Sequence, residues 1–181
     1  MTPVETFWIM LMLIFAVVGV VRGFLKELGV TLVLIVTLFG LTRLSANLPR
    51  LLELAASTTN VQAVRQVSDK SPWWLAFYVF ALLGAMFISY QGYVIKYPGN
   101  EPSGIQGFLL SLMVGAINGY LISGSLWYYV HQYEAAVRQL GLLQGNYSPL
   151  AQKLILVLPP TVLNPYLPFL LVFMVILLVI K

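Results

Sequence analysis

Polarity along this chain comes in long blocks rather than in short alternations. Apolar residues dominate 7–21, 24–44, 73–95 and 107–130, and charge is nearly absent from these runs away from their ends. A helix needs about 20 mostly apolar residues to cross the hydrocarbon core of a bilayer, within a range of about 17–25; the four runs meet or nearly meet that length and predict membrane-spanning helices. A fifth run, 166–180, is uninterrupted but short. It spans if the bilayer thins or the helix tilts with Lys181 reaching outward; otherwise it dips in beside the bundle. Pro159, Pro160, Pro165 and Pro168 predict a non-helical approach to it. The expected fold is an all-α membrane protein, one domain over 1–181, built as a bundle of four to five transmembrane helices with short amphipathic surface helices.

The first two runs meet at Arg22-Gly23-Phe24-Leu25-Lys26-Glu27 with almost no spacer, which predicts a tight membrane hairpin. Polar loops are expected over 45–71 and 131–164. Within the first, Leu51, Leu52, Leu54 and Ala55 follow Pro49, and Val61, Val64 and Val67 recur at helical spacing. These read as two short helices on the membrane surface, or as a docking surface for a partner protein. In the second, Gly145-Asn146 and Ser148-Pro149 are turn signals.

Composition strengthens the membrane reading. The chain is 60% hydrophobic and 9% charged, against roughly 45–50% and about 25% in soluble domains. No basic n-region precedes the first run and no small-residue cleavage site follows it, so retention as a helix is expected rather than removal as a signal peptide. With no cysteine, disulfides and thiolate chemistry are excluded. The net charge of +4 is scattered over loops, so it bears on topology and not on nucleic acid.

Alternation assigns the Arg22 joint and the 96–106 connector to one side, here side A, and the N-terminus, loop 45–71 and the stretch after His131 to side B. The tight Arg22/Lys26 joint has the denser positive charge near helix ends, which places side A in the cytoplasm. All four tryptophans, Trp8, Trp73, Trp74 and Trp127, fall at side B ends, where indoles favour the headgroup level. Tyr90, Tyr93 and Tyr97 are the matching anchors on side A.

In the fourth run Gly107, Ser111, Gly115, Gly119 and Ser123 recur every four residues and form one ridge. Small residues let helix backbones approach closely where lipid supplies no hydrophobic drive. The ridge predicts a helix-packing seam, either within the chain or between copies or partner subunits. Candidate mates are Ala81, Ala85 and Ser89 of the third run, or Ala16, Gly19 and Gly23 of the first. Asn118, inside the same run, is expected to donate an interhelical hydrogen bond.

Candidate chemistry is sparse. His131 is the only histidine, so no histidine cluster can build a metal site; it reads as interfacial, the alternative being an axial ligand to a porphyrin. Glu27 and Lys26 are expected to tie to Arg22 or to a neighbouring helix end, with proton handling the sharper alternative. The remaining carboxylates are dispersed, and no base, orienting acid or oxyanion motif accompanies the serines. No catalytic residue, metal ligand or cofactor is assigned. Spans nearly free of ionisable residues also argue against an ion pump.

Arg22-Gly23-Phe24-Leu25-Lys26-Glu27-Leu28 resembles the Arg-Gly-x-x-(Arg/Lys)-Glu signature of the colicin V production protein (CvpA) family of bacterial inner-membrane proteins. Gly115 and Gly119, with Ser111 one step earlier, are similar to that family's second signature. Gln106 and Asn118 stand where the family usually carries charged residues. Over about residues 5–130, the resemblance implies a non-catalytic multi-pass protein of the bacterial inner membrane, linked to toxin production or export and to envelope homeostasis. The alternative is an accessory transmembrane subunit of a respiratory or photosynthetic complex, bordering a quinone or pigment path. Expected partners are membrane lipids and a membrane-protein partner or a second copy. The N-terminus is expected outside.

Overall fold

A backbone in lipid must satisfy its own hydrogen bonds, which leaves helices as the solution for uniformly apolar runs. The computed structural model describes residues 4–58, 71–91, 95, 97–141, 143 and 147–180. All regular structure among them is helical. The long elements are α1 (Val4–Arg22), α2 (Phe24–Thr58), α3 (Pro72–Gln91) and α4 (Gly104–Gln132), each long and apolar enough to cross a membrane. At 1.5 Å per residue, α1 extends about 28 Å, close to the hydrocarbon thickness of about 30 Å. Exposed residues such as Phe80, Phe87 and Phe169 give the bundle an apolar outer surface. This is an all-α membrane helix bundle.

A single non-helical residue, Gly23, separates α1 from α2. Its φ of +91° lies in the left-handed region, where a side chain is disfavoured and glycine is not. The chain reverses there without a loop. Helix α2 then continues well past Leu44, for 35 residues with Pro49 inside it, or about 52 Å. Leu51, Leu52, Leu54 and Ala55 therefore belong to a continuation of the second span and not to a separate surface helix. Pro49 removes one backbone N–H and its ring crowds the carbonyl four residues back, yet the helix continues through it to Thr58. Val61, Val64, Val67, Tyr93 and the Gly145-Asn146 turn lie outside the described residues.

After α4 come α5 (Glu134–Gln139), α6 (Pro149–Ile155), α7 (Pro159–Leu163) and α8 (Leu167–Val179). The expected non-helical approach to the fifth run is instead short helices with proline in the first turn of α6, α7 and α8. The missing N–H costs nothing there, and the fixed φ favours initiation. Ser148 caps α6, its Oγ accepting from the Ala151 N–H at 3.0 Å and donating to Glu5 Oε1 at 2.6 Å, which ties this segment to the start of α1. The α6–α7 stretch and α8 qualify as a crossing only together, with a 58° bend between them. Alone, α8 has 13 residues, about 20 Å. Pro159 lies against Gly124 near the end of α4, whereas the Met174 carbonyl of α8 accepts from Tyr97 in the α3–α4 connector at 2.8 Å. The segment thus runs from the α4 end of the bundle back toward that connector.

The core lies between α2, α3 and α4, around Leu34, Leu38, Leu82 and the stacked pair Tyr78–Tyr129, whose ring centroids are 4.5 Å apart. Trp8 meets Trp127 edge-on at 6.0 Å, so the start of α1 and the end of α4 share one level. Trp127 is buried against Ala151 and Leu158 rather than turned to the surroundings.

Candidate functional site

Close contact between α1 and α4 comes first, because it sets where the polar side chains can meet. A Cβ on Gly19 would stand 2.5 Å from the Ser111 carbonyl oxygen and 2.7 Å from the Gly115 Cα. One on Gly115 would stand 2.6 Å from the Phe15 carbonyl oxygen, and one on Gly119 2.9 Å from the Met12 Cα. The two backbones touch, and Ser111, Gly115 and Gly119 face Ala16 and Gly19 of α1. Helix α3 is not their mate; Gly84 beside Ala81 and Ala85 has open space around it. Two ladder members do other work. Gly107 makes room for the Pro102 carbonyl in its own connector, and Ser123 donates to the Gly119 carbonyl one turn back at 2.6 Å.

With α1 and α4 in contact, the first turns of α2 and the end of α3 close over a polar node. Glu27, in the first turn of α2, is fully buried. Its Oε1 accepts from Arg22 Nη1 at 3.1 Å, and its Oε2 accepts from Asn118 Nδ2 at 2.7 Å and from the Tyr90 hydroxyl at 3.1 Å. Asn118 Nδ2 also donates to the Glu27 carbonyl at 3.0 Å, and its Oδ1 lies 2.7 Å from Thr31 Oγ1. A reversed amide would set its oxygen against the carboxylate, so Glu27 dictates the orientation of Asn118. Arg22 donates as well to the Ser89 carbonyl at 3.2 Å, and its guanidinium lies 4.5 Å from the Tyr90 ring centroid, within cation–π range.

The node joins residues of all four long helices. Arg22 closes α1 and Glu27 opens α2, each where the helix dipole favours its charge. Both carboxylate oxygens are occupied, so the arrangement acts as a fastening. Tyr90, expected as a headgroup anchor, donates into the bundle, as does buried Tyr97. Thr31, Ser89 and Tyr90 are the partners that sequence reasoning missed. A carboxylate and an amide set in apolar runs were the available signal, since polar groups in a bilayer must find each other.

Lys26 is exposed on the outer side of the joint. It lines an open cleft of about 410 Å³ together with Arg22, Gly23, Glu101 and the start of α4. Glu101 Oε2 accepts from the Leu25 N–H at 3.3 Å, satisfying one of the free donors of the α2 N-terminus. At the other end, a cavity of about 140 Å³ lies among Thr42, Ser45, Tyr128, Tyr129, Pro160 and Asn164.

His131 Nδ1 stands 3.4 Å from Glu134 Oε2, and its ring meets Tyr147 edge-on at 5.5 Å. Glu134 also holds Arg138 at 2.6 Å. Burial, and then the Glu134 carboxylate, push the Tyr147 phenol up, with Arg138 opposing. Among the described residues no group of three or more His, Cys, Asp or Glu side chains is placed to hold a metal ion. Neither models of known protein families, nor curated proteins, nor solved structures give a match to this chain.

Proposed function

We propose that this chain is a non-catalytic, CvpA-like multi-pass protein of the bacterial cytoplasmic membrane, acting in colicin V-type toxin production or export or in envelope homeostasis, with its N-terminus outside. One observation carries the reading. The two stretches that resemble family signatures converge: Ser111 and Gly115 pack on Gly19 just before the Arg22 joint, and Asn118, beside the ladder where the family usually carries a charge, bonds Glu27 of that joint. Residues that would otherwise be costly inside a bilayer thereby form a stable frame, as suits a protein that works by holding its shape.

Deleting the gene in its host is expected to reduce export of a colicin V-type toxin or to make the envelope leaky to detergents and periplasmic enzymes, with recovery on re-expression of the intact chain. Normal export with an intact envelope would refute the reading.

Orientation has its own test, and the chain holds no cysteine to confuse it. A cysteine at exposed Ser57 is expected to react with a membrane-impermeant maleimide added to whole cells, while one at exposed Ser103 reacts only after lysis. The opposite pattern would invert the topology.

A further inference from the structure

Two cations and one carboxylate line the cleft at the joint, and of these Lys26 and Glu101 do not neutralise each other. Lys26 and Glu101 both line it, yet no ion pair joins them, whereas Arg22, on the same wall, is already engaged with Glu27 and the Ser89 carbonyl. Among the described residues Glu101 accepts one hydrogen bond, from the Leu25 N–H at 3.3 Å. Apolar walls flank these charges: Val21 is 81% exposed and Phe108 50% exposed. Gly107 and Ser111 keep the floor low between them.

This joint connects the ends of two spanning helices, so the cleft stands at headgroup level with its apolar walls toward the acyl chains. An occupant that satisfies it is amphiphilic and carries both signs of charge. We propose that the cleft is a binding site for a phospholipid with a phosphoethanolamine headgroup, the phosphate meeting Lys26 and the primary ammonium meeting Glu101. The ammonium has three N–H donors. A trimethylammonium headgroup has none to give Glu101, and a purely anionic one sets its charge against that carboxylate. The inference rests on the chain spanning a membrane with the joint at its surface and not on a role in toxin export or envelope homeostasis, so either can fail without the other.

The test uses the full-length protein in nanodiscs of phosphatidylcholine containing equal fractions of phosphatidylethanolamine and phosphatidylglycerol, with bound lipid counted by native mass spectrometry. Phosphatidylethanolamine is expected to be enriched about threefold over each of the others, the scale of one partly exposed ion pair. Glu101→Gln should abolish the enrichment and shift binding toward phosphatidylglycerol, while Lys26→Gln, at an exposed position, should lower the total lipid retained, since all three lipids share the phosphate; circular dichroism checks that both variants stay helical. Equal retention of the three lipids, a preference for phosphatidylglycerol in the unaltered protein, enrichment that survives Glu101→Gln, or total retention unchanged by Lys26→Gln would each overturn the proposal.

Discussion

Glu27→Ala is expected to destabilise the bundle by about 3 kcal/mol, at the low end of the roughly 3–5 kcal/mol lost when one partner of a buried ion pair is removed. The low end applies because the stranded partner, Arg22, is 18% exposed and can turn toward headgroups. Asn118 and Tyr90 cannot escape in the same way. Asn118 is fully buried, and its amide would keep only the Glu27 backbone carbonyl and Thr31. Titration with a denaturing detergent in mixed micelles, followed by helix ellipticity, measures the loss. A double-mutant cycle with Asn118→Ala should give a coupling of about 0.5–3 kcal/mol, the range for residues in one network. Additive effects, or a loss below about 1 kcal/mol for Glu27→Ala, would show that the node is not assembled in the membrane.

Gly115→Leu should have the larger effect in cells, leaving little folded protein. The obstacles to its Cβ are main-chain atoms, the Phe15 carbonyl oxygen at 2.6 Å and the Gly19 Cα at 2.9 Å. Neither can rotate aside, so the helices must separate, and the node above them loses its alignment. The smaller change Gly115→Ala is expected to cost about 1–3 kcal/mol by overpacking. Gly84→Ala is the control. Nothing lies within 4 Å of the added methyl, and exchanging glycine for alanine inside a helix gains up to about 1 kcal/mol. Wild-type thermal stability for Gly115→Leu would mean that α1 and α4 do not meet along this ridge.

Several features were open to reading in the chain because they are local. Four runs of about membrane length with charge confined to their ends read as helices, since a uniformly apolar segment in a bilayer pairs its backbone within itself. Gly23 between two such runs marked a sharp reversal, and its positive φ explains why no longer loop is needed. Other features resisted because two local signals conflicted. Pro49 suggested a break in what is one 35-residue helix, and Pro159 and Pro160 suggested irregular chain where they begin a short helix. Pro159 and Pro160 stand in a first turn, where the position already lacks an N–H partner, and that is not visible from residue type; Pro49 lies inside its helix, where this explanation does not apply.

The glycine ladder shows the boundary between local and tertiary information most clearly. Its four-residue spacing establishes that small residues form a ridge on α4. It does not say which helix lies against that ridge, because both α1 and α3 carry small residues of similar spacing. The same holds for Glu27, Tyr90, Asn118 and Thr31, separated by up to 91 residues along the chain. By itself the sequence determined a helical membrane protein, the hairpin joint and a close-packing ridge, each a consequence of periodicity and of the cost of burying unpaired polar groups. Only the tertiary structure decided that α1 fills the ridge, that all four long helices meet at one carboxylate, and that Lys26 and Glu101 are left facing a shared cleft. Those outcomes depend on which faces pack together, and local patterning leaves that choice nearly degenerate.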